Sequence, residues 1–207
     1  MKKELQPAFD FLEGKISVDE LMQQADEGFY KALQTLVPEG TTRCIQEIKN
    51  GELISHTVPY DVKSFLTELH RKGTLDAKVN FFSEIRDILT TAYPDVSVDD
   101  SIIKKFRFIL SHTPSYIGGV EAQKVLEDIY DQMKVKKPKL YKEKVKELFV
   151  YESKPPRWIQ EPEWPVDIKG GVPLKFLYMS WNKRLEEAEY FFQYVDSAIV
   201  MTVKQNT

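Results

Sequence analysis

Carboxylates, three histidines, a single cysteine and a run of lysines are the side chains with chemistry to offer, and their spacing decides which chemistry. Asp95, Asp99 and Asp100 cluster just ahead of a helical pattern. Negative charge is favourable at a helix amino terminus, so this arrangement points to capping before it points to acid–base catalysis. His56, His70 and His112 have no second ligand four residues on and no cysteine close by, so neither HExxH nor a Cys/His metal pattern is present. A nucleophilic serine on a sharp strand-to-helix turn would sit in GxSxG, which does not occur. Cys44, the sole cysteine, lies between Arg43 and Ile45 and is expected to be a small packed residue rather than a nucleophile. Gly118-Gly119 precedes a helical pattern but lacks both the Walker lysine and the GxGxxG spacing, and reads as a turn. No enzyme activity, metal, cofactor or small-molecule ligand is expected from these patterns.

The lysines are the most concentrated charge. Residues 134, 136, 137, 139, 142, 144 and 146 are all lysine, against Glu143 and Glu147, in a chain of 207 residues whose net charge is −3. The other residues are therefore acidic on balance, which would steer a basic partner. Lysines 142, 144 and 146 alternate with Leu140, Tyr141, Val145, Leu148 and Phe149, an apolar set spaced for one helix face, so the charges are expected on the solvated face and nucleic acid is not an expected partner.

The elements that must carry these residues are mostly helical as far as residue 150. Leu5, Phe9 and Leu12 repeat at four and three residues before Gly14. Ser17 with Glu20 three residues later forms a capping box ahead of Leu21 and Met22. Phe29 to Val37 continues the pattern up to Pro38. Thr42 to Lys49, ending at Asn50-Gly51, fits a short helix or the arm of a hairpin. Helices follow over 59–72, 76–92 and 101–111, then from Val120 to Met133 and through the lysine segment, giving about seven or eight in all. A 207-residue chain buries about 70% of the surface its unfolded form exposes, and needs no disulfide to hold a core. The single cysteine suits a reducing compartment, and the start Met1-Lys2-Lys3-Glu4 has no apolar signal core, so the expected address is the cytoplasm, with no membrane partner.

Composition changes after Tyr151. Four prolines and two tryptophans between Pro155 and Pro165 demand an extended path. Trp158 and Trp164 are expected to cover a small sheet, leaving the flanking Glu161 and Glu163 exposed. Leu174, Phe176 and Tyr178 alternate, and 190–195 and 199–204 are rich in aromatic and β-branched residues, so about three antiparallel strands are expected, with a turn at Asp196-Ser197 and a polar, helical connection over Trp181–Ala188. The expected class is α+β, mainly α: a helical domain over 1–150 and a Pro/Trp-rich β module over 151–207 packed on it.

Pro162-Glu163-Trp164-Pro165, Gly171-Val172-Pro173-Leu174-Lys175-Phe176-Leu177, Tyr190-Phe191-Phe192-Gln193-Tyr194-Val195-Asp196 and a last strand ending Lys204-Gln205 resemble the carboxy-terminal part of bacterial immunity proteins from polymorphic toxin and contact-dependent growth inhibition systems. The resemblance spans about the last 50 residues. It departs at Met179-Ser180, where the family often has a glutamine, and in the charged stretch from Asn182 to Glu189. It implies a non-enzymatic protein that binds and neutralises one cognate toxin, commonly a nuclease, in the cytoplasm. The expected partner-binding residues are the exposed acids Asp95, Asp99, Asp100, Glu161 and Glu163. Two alternatives stand beside it: a hydrolase or transferase using the carboxylates at 95–100, and a nucleic-acid-binding module using the helix around Lys134–Lys146.

Overall fold

The computed structural model describes residues 3–49, 52–167, 169–195 and 197–206. The chain divides into two compact units, Met1–Ile103 and Lys104–Thr207. Its charge divides with it. The first unit holds 18 acidic and 11 basic side chains, a net of −7, and the second holds 14 and 18, a net of +4.

In the first unit α1 (Gln6–Leu12), α2 (Val18–Gln24) and α3 (Glu27–Gln34) precede a hairpin of β1 (Thr42–Lys49) and β2 (Glu52–Pro59), which is followed by α4 (Val62–Lys72) and α5 (Leu75–Ala92). The capping box of α2 forms as the sequence predicts: the Glu20 N–H donates to the Ser17 hydroxyl, and the Ser17 N–H donates to the Glu20 carboxylate at 2.7 Å. Asp61 and Thr74 cap α4 and α5, their side chains accepting from the Ser64 and Ala77 N–H groups, and Gly73, at φ 62°, closes α4 in the left-handed conformation that glycine adopts without strain. The buried faces of the five helices meet in one core that includes Leu5, Phe11, Leu33, Leu66, Phe81, Phe82 and Leu89. Phe11 sets its ring edge-on to Phe81 and Phe82 at 5.7 and 5.6 Å.

Of the two readings of Thr42–Lys49, the hairpin arm is the one formed. Its eight residues pair antiparallel with β2 from Thr42↔Pro59 to Lys49↔Glu52 in an unbroken register. The expected turn at Asn50-Gly51 lies outside the described residues. The start of α4 shifts accordingly, because Thr57 and Pro59 belong to β2 and Asp61 provides the cap.

α6 (Ser101–His112) spans the division between the units. The second unit continues with α7 (Val120–Gln132), α8 (Pro138–Leu148), the short pair β3 (Val166–Asp167) and β4 (Val172–Pro173), and the sheet of β5 (Lys175–Asn182), β6 (Glu187–Gln193) and β7 (Val200–Asn206). The class is thus α+β with eight helices among the described residues and a carboxy-terminal three-stranded antiparallel sheet in the order β5-β6-β7. The expectation of a helical body ending at residue 150 groups these elements differently: α7 and α8 share their compact unit with the sheet.

The polar, helical connection expected over Trp181–Ala188 is not formed. β5 runs through Trp181 to Asn182, β6 starts at Glu187, and only residues 183–186 turn between them, with Asn182 Oδ1 accepting from the Arg184 and Leu185 N–H groups. The reason is alternation. Ala188, Tyr190 and Phe192 are buried while Glu187, Glu189, Phe191 and Gln193 between them are half-buried, so the charged residues are simply the outward-facing members of a strand. The turn between β6 and β7 includes Ser197, whereas Asp196 lies outside the described residues.

The segment 155–165 covers the inward face of this sheet. Trp164 is 1% exposed; its indole N–H donates to the Leu174 carbonyl at 2.9 Å, and its ring meets Phe149 and Phe192, each at 5.5 Å. Trp158 lies against Tyr190 at 4.4 Å and donates to the Tyr116 carbonyl at 2.9 Å. Buried Gln205 ties the strap to β7, its Oε1 accepting from the Ile159 and Gln160 N–H groups and its Nε2 donating to the Glu161 carbonyl. The crossing over Gly118 is close enough that a Cβ there would stand 2.7 Å from the Pro162 carbonyl oxygen.

Candidate protein-binding cleft

The sequence-predicted acids divide between the two units. Asp95, Asp99 and Asp100 lie in the first unit and Glu161 and Glu163 in the second. Asp99 is committed to structure: its Oδ1 accepts from the Ser101 N–H at 2.9 Å and its Oδ2 from the Ser101 hydroxyl at 2.8 Å, while its own N–H donates to the Leu12 carbonyl at 2.6 Å. Its carboxylate also closes over Gly14, where a Cβ would come within 2.8 Å of Oδ2. Capping, which the spacing favoured, is therefore its role here. Asp95 and Asp100 are exposed, as are Glu161 and Glu163 just before buried Trp164.

A different set of residues is brought together at the base of the β1–β2 ribbon. The half-buried members of the ribbon, Arg43, Ile45 and Val58, occupy one of its faces, and the opposite face, with Thr42, Cys44, Gln46, Leu53, Ser55 and Thr57, is exposed. Cys44 corrects the expectation of a packed cysteine: it is exposed, because the ribbon has no layer on that side to pack it. Leu53 and Ile54 are 65% and 41% exposed. Among the described residues this sheet has two strands, so each strand keeps one edge without a neighbouring strand.

Beneath the half-buried face lies an open cleft of about 910 Å³, walled by Leu36, Val37, Pro38, Phe65 and Ile88 and lined with the polar side chains of Arg43, Tyr60, Glu68, Lys72, Glu84 and Asp87. Gln34 anchors the ribbon at its exit, its Nε2 donating to the Tyr60 carbonyl at 3.2 Å and its Oε1 accepting from the Val62 N–H at 2.9 Å. The Tyr60 N–H donates to the Thr41 carbonyl at 3.0 Å, closing the base. Arg43 lies 4.9 Å over the Phe65 ring and pairs with Glu68 at 2.9 Å, and Lys72 reaches the same carboxylate at 3.0 Å. Arg43 first and then Lys72 hold the Glu68 carboxyl below its usual value, so it stays ionised.

Tyr60 donates to Glu84 at 2.5 Å. Burial, then that hydrogen bond, pushes its phenol far above the usual tyrosine value, which keeps the proton in place. Asp87 pairs with Arg86 at 2.8 Å. Arg43, Lys72 and Glu68, and Tyr60 with Glu84, thus satisfy one another around an apolar wall. Among the described residues no group of three or more histidine, cysteine or acidic side chains could hold a metal ion, and no helix is long and apolar enough to cross a membrane.

The signal that could have found this site was Asn50-Gly51 between two eight-residue arms carrying Ile45, Ile48, Ile54, Thr57 and Val58. Asn-Gly between such arms is the strongest short-range sign of a hairpin. The partners of Arg43 and Tyr60, by contrast, come from α4 and α5, some 25 residues away, and no local pattern announces them. The chain matches no protein-family model, no curated protein and no solved structure.

Proposed function

We propose that the chain is a non-enzymatic immunity protein that binds and neutralises a cognate bacterial toxin, a nuclease, in the cytoplasm. The observation that carries this reading is the concentration of acidity, −7, in the unit that also bears the uncovered ribbon and its cleft. A nuclease carries a basic surface for its substrate, and an acidic body with an open β edge complements it in both charge and backbone hydrogen bonding. Exposed Leu53 and Ile54 supply the apolar part of the contact, and the resemblance of the carboxy-terminal residues supports the toxin–immunity assignment.

Co-expression with the toxin domain encoded beside this chain tests it. Cell survival together with a 1:1 complex on co-purification is the expected result, with an association rate that falls as salt rises. Death of the co-expressing cells and no complex would overturn the assignment.

A further inference from the structure

We propose that the face of α8 bearing Lys139, Lys142 and Lys146 is a binding surface for the phosphodiester backbone of a nucleic acid. This is independent of toxin binding and belongs to the other, basic unit. α8 buries Tyr141 and Val145, with Phe149 following its last turn, so its position in the unit is fixed by that apolar stripe. Lysines 139, 142 and 146, at spacings of three and four, fall on one flank of the stripe, and all three are exposed. Their Cα atoms step about 4.5 and 6 Å along the helix axis, so the three ammonium groups form a single row.

What marks this row is that three lysines without an ion pair share one helix flank, although Glu143 lies four residues after Lys139 and three before Lys146. Some lysines on other helices are paired: Lys72 with Glu68 at 3.0 Å, Lys124 with Glu121 at 2.8 Å, and Lys105 with Asp131 at 2.6 Å. On α8 the side chains of Lys139, Lys142 and Lys146 have no ion-pair or hydrogen-bond partner among the described residues. Like charges three and four apart repel, and Lys139 stands in a first turn that contains no acid, the end of the helix where a cation is least favoured. Exposed Lys134, Lys137 and Lys144 add to the same positive field. A row of phosphates relieves this repulsion, and release of their condensed counterions drives the association. A lipid surface fits less well: Tyr141 and Val145 of α8 are already buried in the unit, which leaves only Leu140 and Leu148, 44% and 40% exposed, to enter a bilayer.

The experiment is a fluorescence-anisotropy titration of the full chain against a labelled DNA duplex of about 20 base pairs, at several salt concentrations. Binding whose log K falls against log[salt] with a slope of about −3 is expected, as three phosphate contacts require. K139E/K142E/K146E should weaken binding tenfold or more, and K139Q/K142Q/K146Q should weaken it in the same direction. A control with the same charge change elsewhere in the unit, K154E/K169E/K183E, should weaken it less than threefold. No binding at about 50 mM salt, an equal loss in the control, or binding to anionic vesicles but not to the duplex would each overturn the proposal. Circular dichroism of each variant checks that the fold is retained, which the exposure of all six lysines predicts.

Discussion

The β1–β2 ribbon and the β5-β6-β7 sheet are both antiparallel and both alternate apolar with polar residues, yet only one of them is covered. In the sheet, Ala188, Tyr190 and Phe192 face a strap whose Trp158 and Trp164 close over them, and the strap is itself hydrogen-bonded to the sheet through Gln205. Among the described residues nothing plays the part of the strap on the ribbon: Leu53 and Ile54 face solvent, and both outer edges lack a neighbouring strand. A two-stranded hairpin is marginal in water by itself. The ribbon is held at its base by Gln34, Tyr60 and Arg43 and exposes Leu53 and Ile54 beyond it.

The largest effect belongs to the strap. Trp164→Ala removes a buried indole and its hydrogen bond to Leu174, and should cost about 3–5 kcal/mol in urea-induced unfolding. A loss under about 1 kcal/mol would mean the strap does not hold the sheet. Next comes pH. Burial pushes the Tyr141 phenol up to about 12, so the folded state keeps a proton that the unfolded chain releases near pH 10. The stability this gives is complete below pH 10 and is lost as pH rises from 10 through 12, an effect on the order of 2 kcal/mol that Tyr141→Phe should remove from the alkaline limb, leaving the part that Tyr60 contributes. An unchanged alkaline limb in that variant would place the effect on another phenol.

A smaller effect is expected where strap and sheet share one hydroxyl. Tyr190 donates to the Arg157 carbonyl at 2.9 Å and accepts from the Ile159 N–H at 3.0 Å, so Tyr190→Phe should lose about 1–2 kcal/mol in the same unfolding assay. The ribbon should respond least. Leu53→Ser and Ile54→Ser should shift the stability of the free chain by no more than about 0.5 kcal/mol while weakening the complex with the toxin domain, measured by calorimetry. Destabilisation of the free chain by 2 kcal/mol or more would show that these side chains pack within the protein and would remove the contrast.

Local signals made much of this legible. The Ser17/Glu20 box and the helical patterns over 76–92 and from Val120 to Met133 each specify their own element, and each is formed. The covering of the sheet by Trp158 and Trp164 followed from the cost of leaving two indoles in water. The error at Trp181–Ala188 came from reading charge as a connection, when Glu187 and Glu189 are outward members of β6 that pair with Lys204, each at 2.8 Å. Cys44 was misjudged because the general tendency of cysteine to be buried presumes a layer to bury it, and the ribbon has none. The cleft was out of reach altogether, since Tyr60 with Glu84 and Arg43 with Glu68 are tertiary pairs.

The contrast between covered and uncovered β structure is tested most directly by native-state hydrogen exchange on the chain alone, followed residue by residue. The amides of β6 from Ala188 to Gln193 should exchange only through global unfolding, and those of the ribbon at 43–46 and 53–58 should exchange orders of magnitude faster through local opening. Ribbon amides as slow as those of β6 would contradict the account, because a ribbon that stable has no need of a partner to cover it.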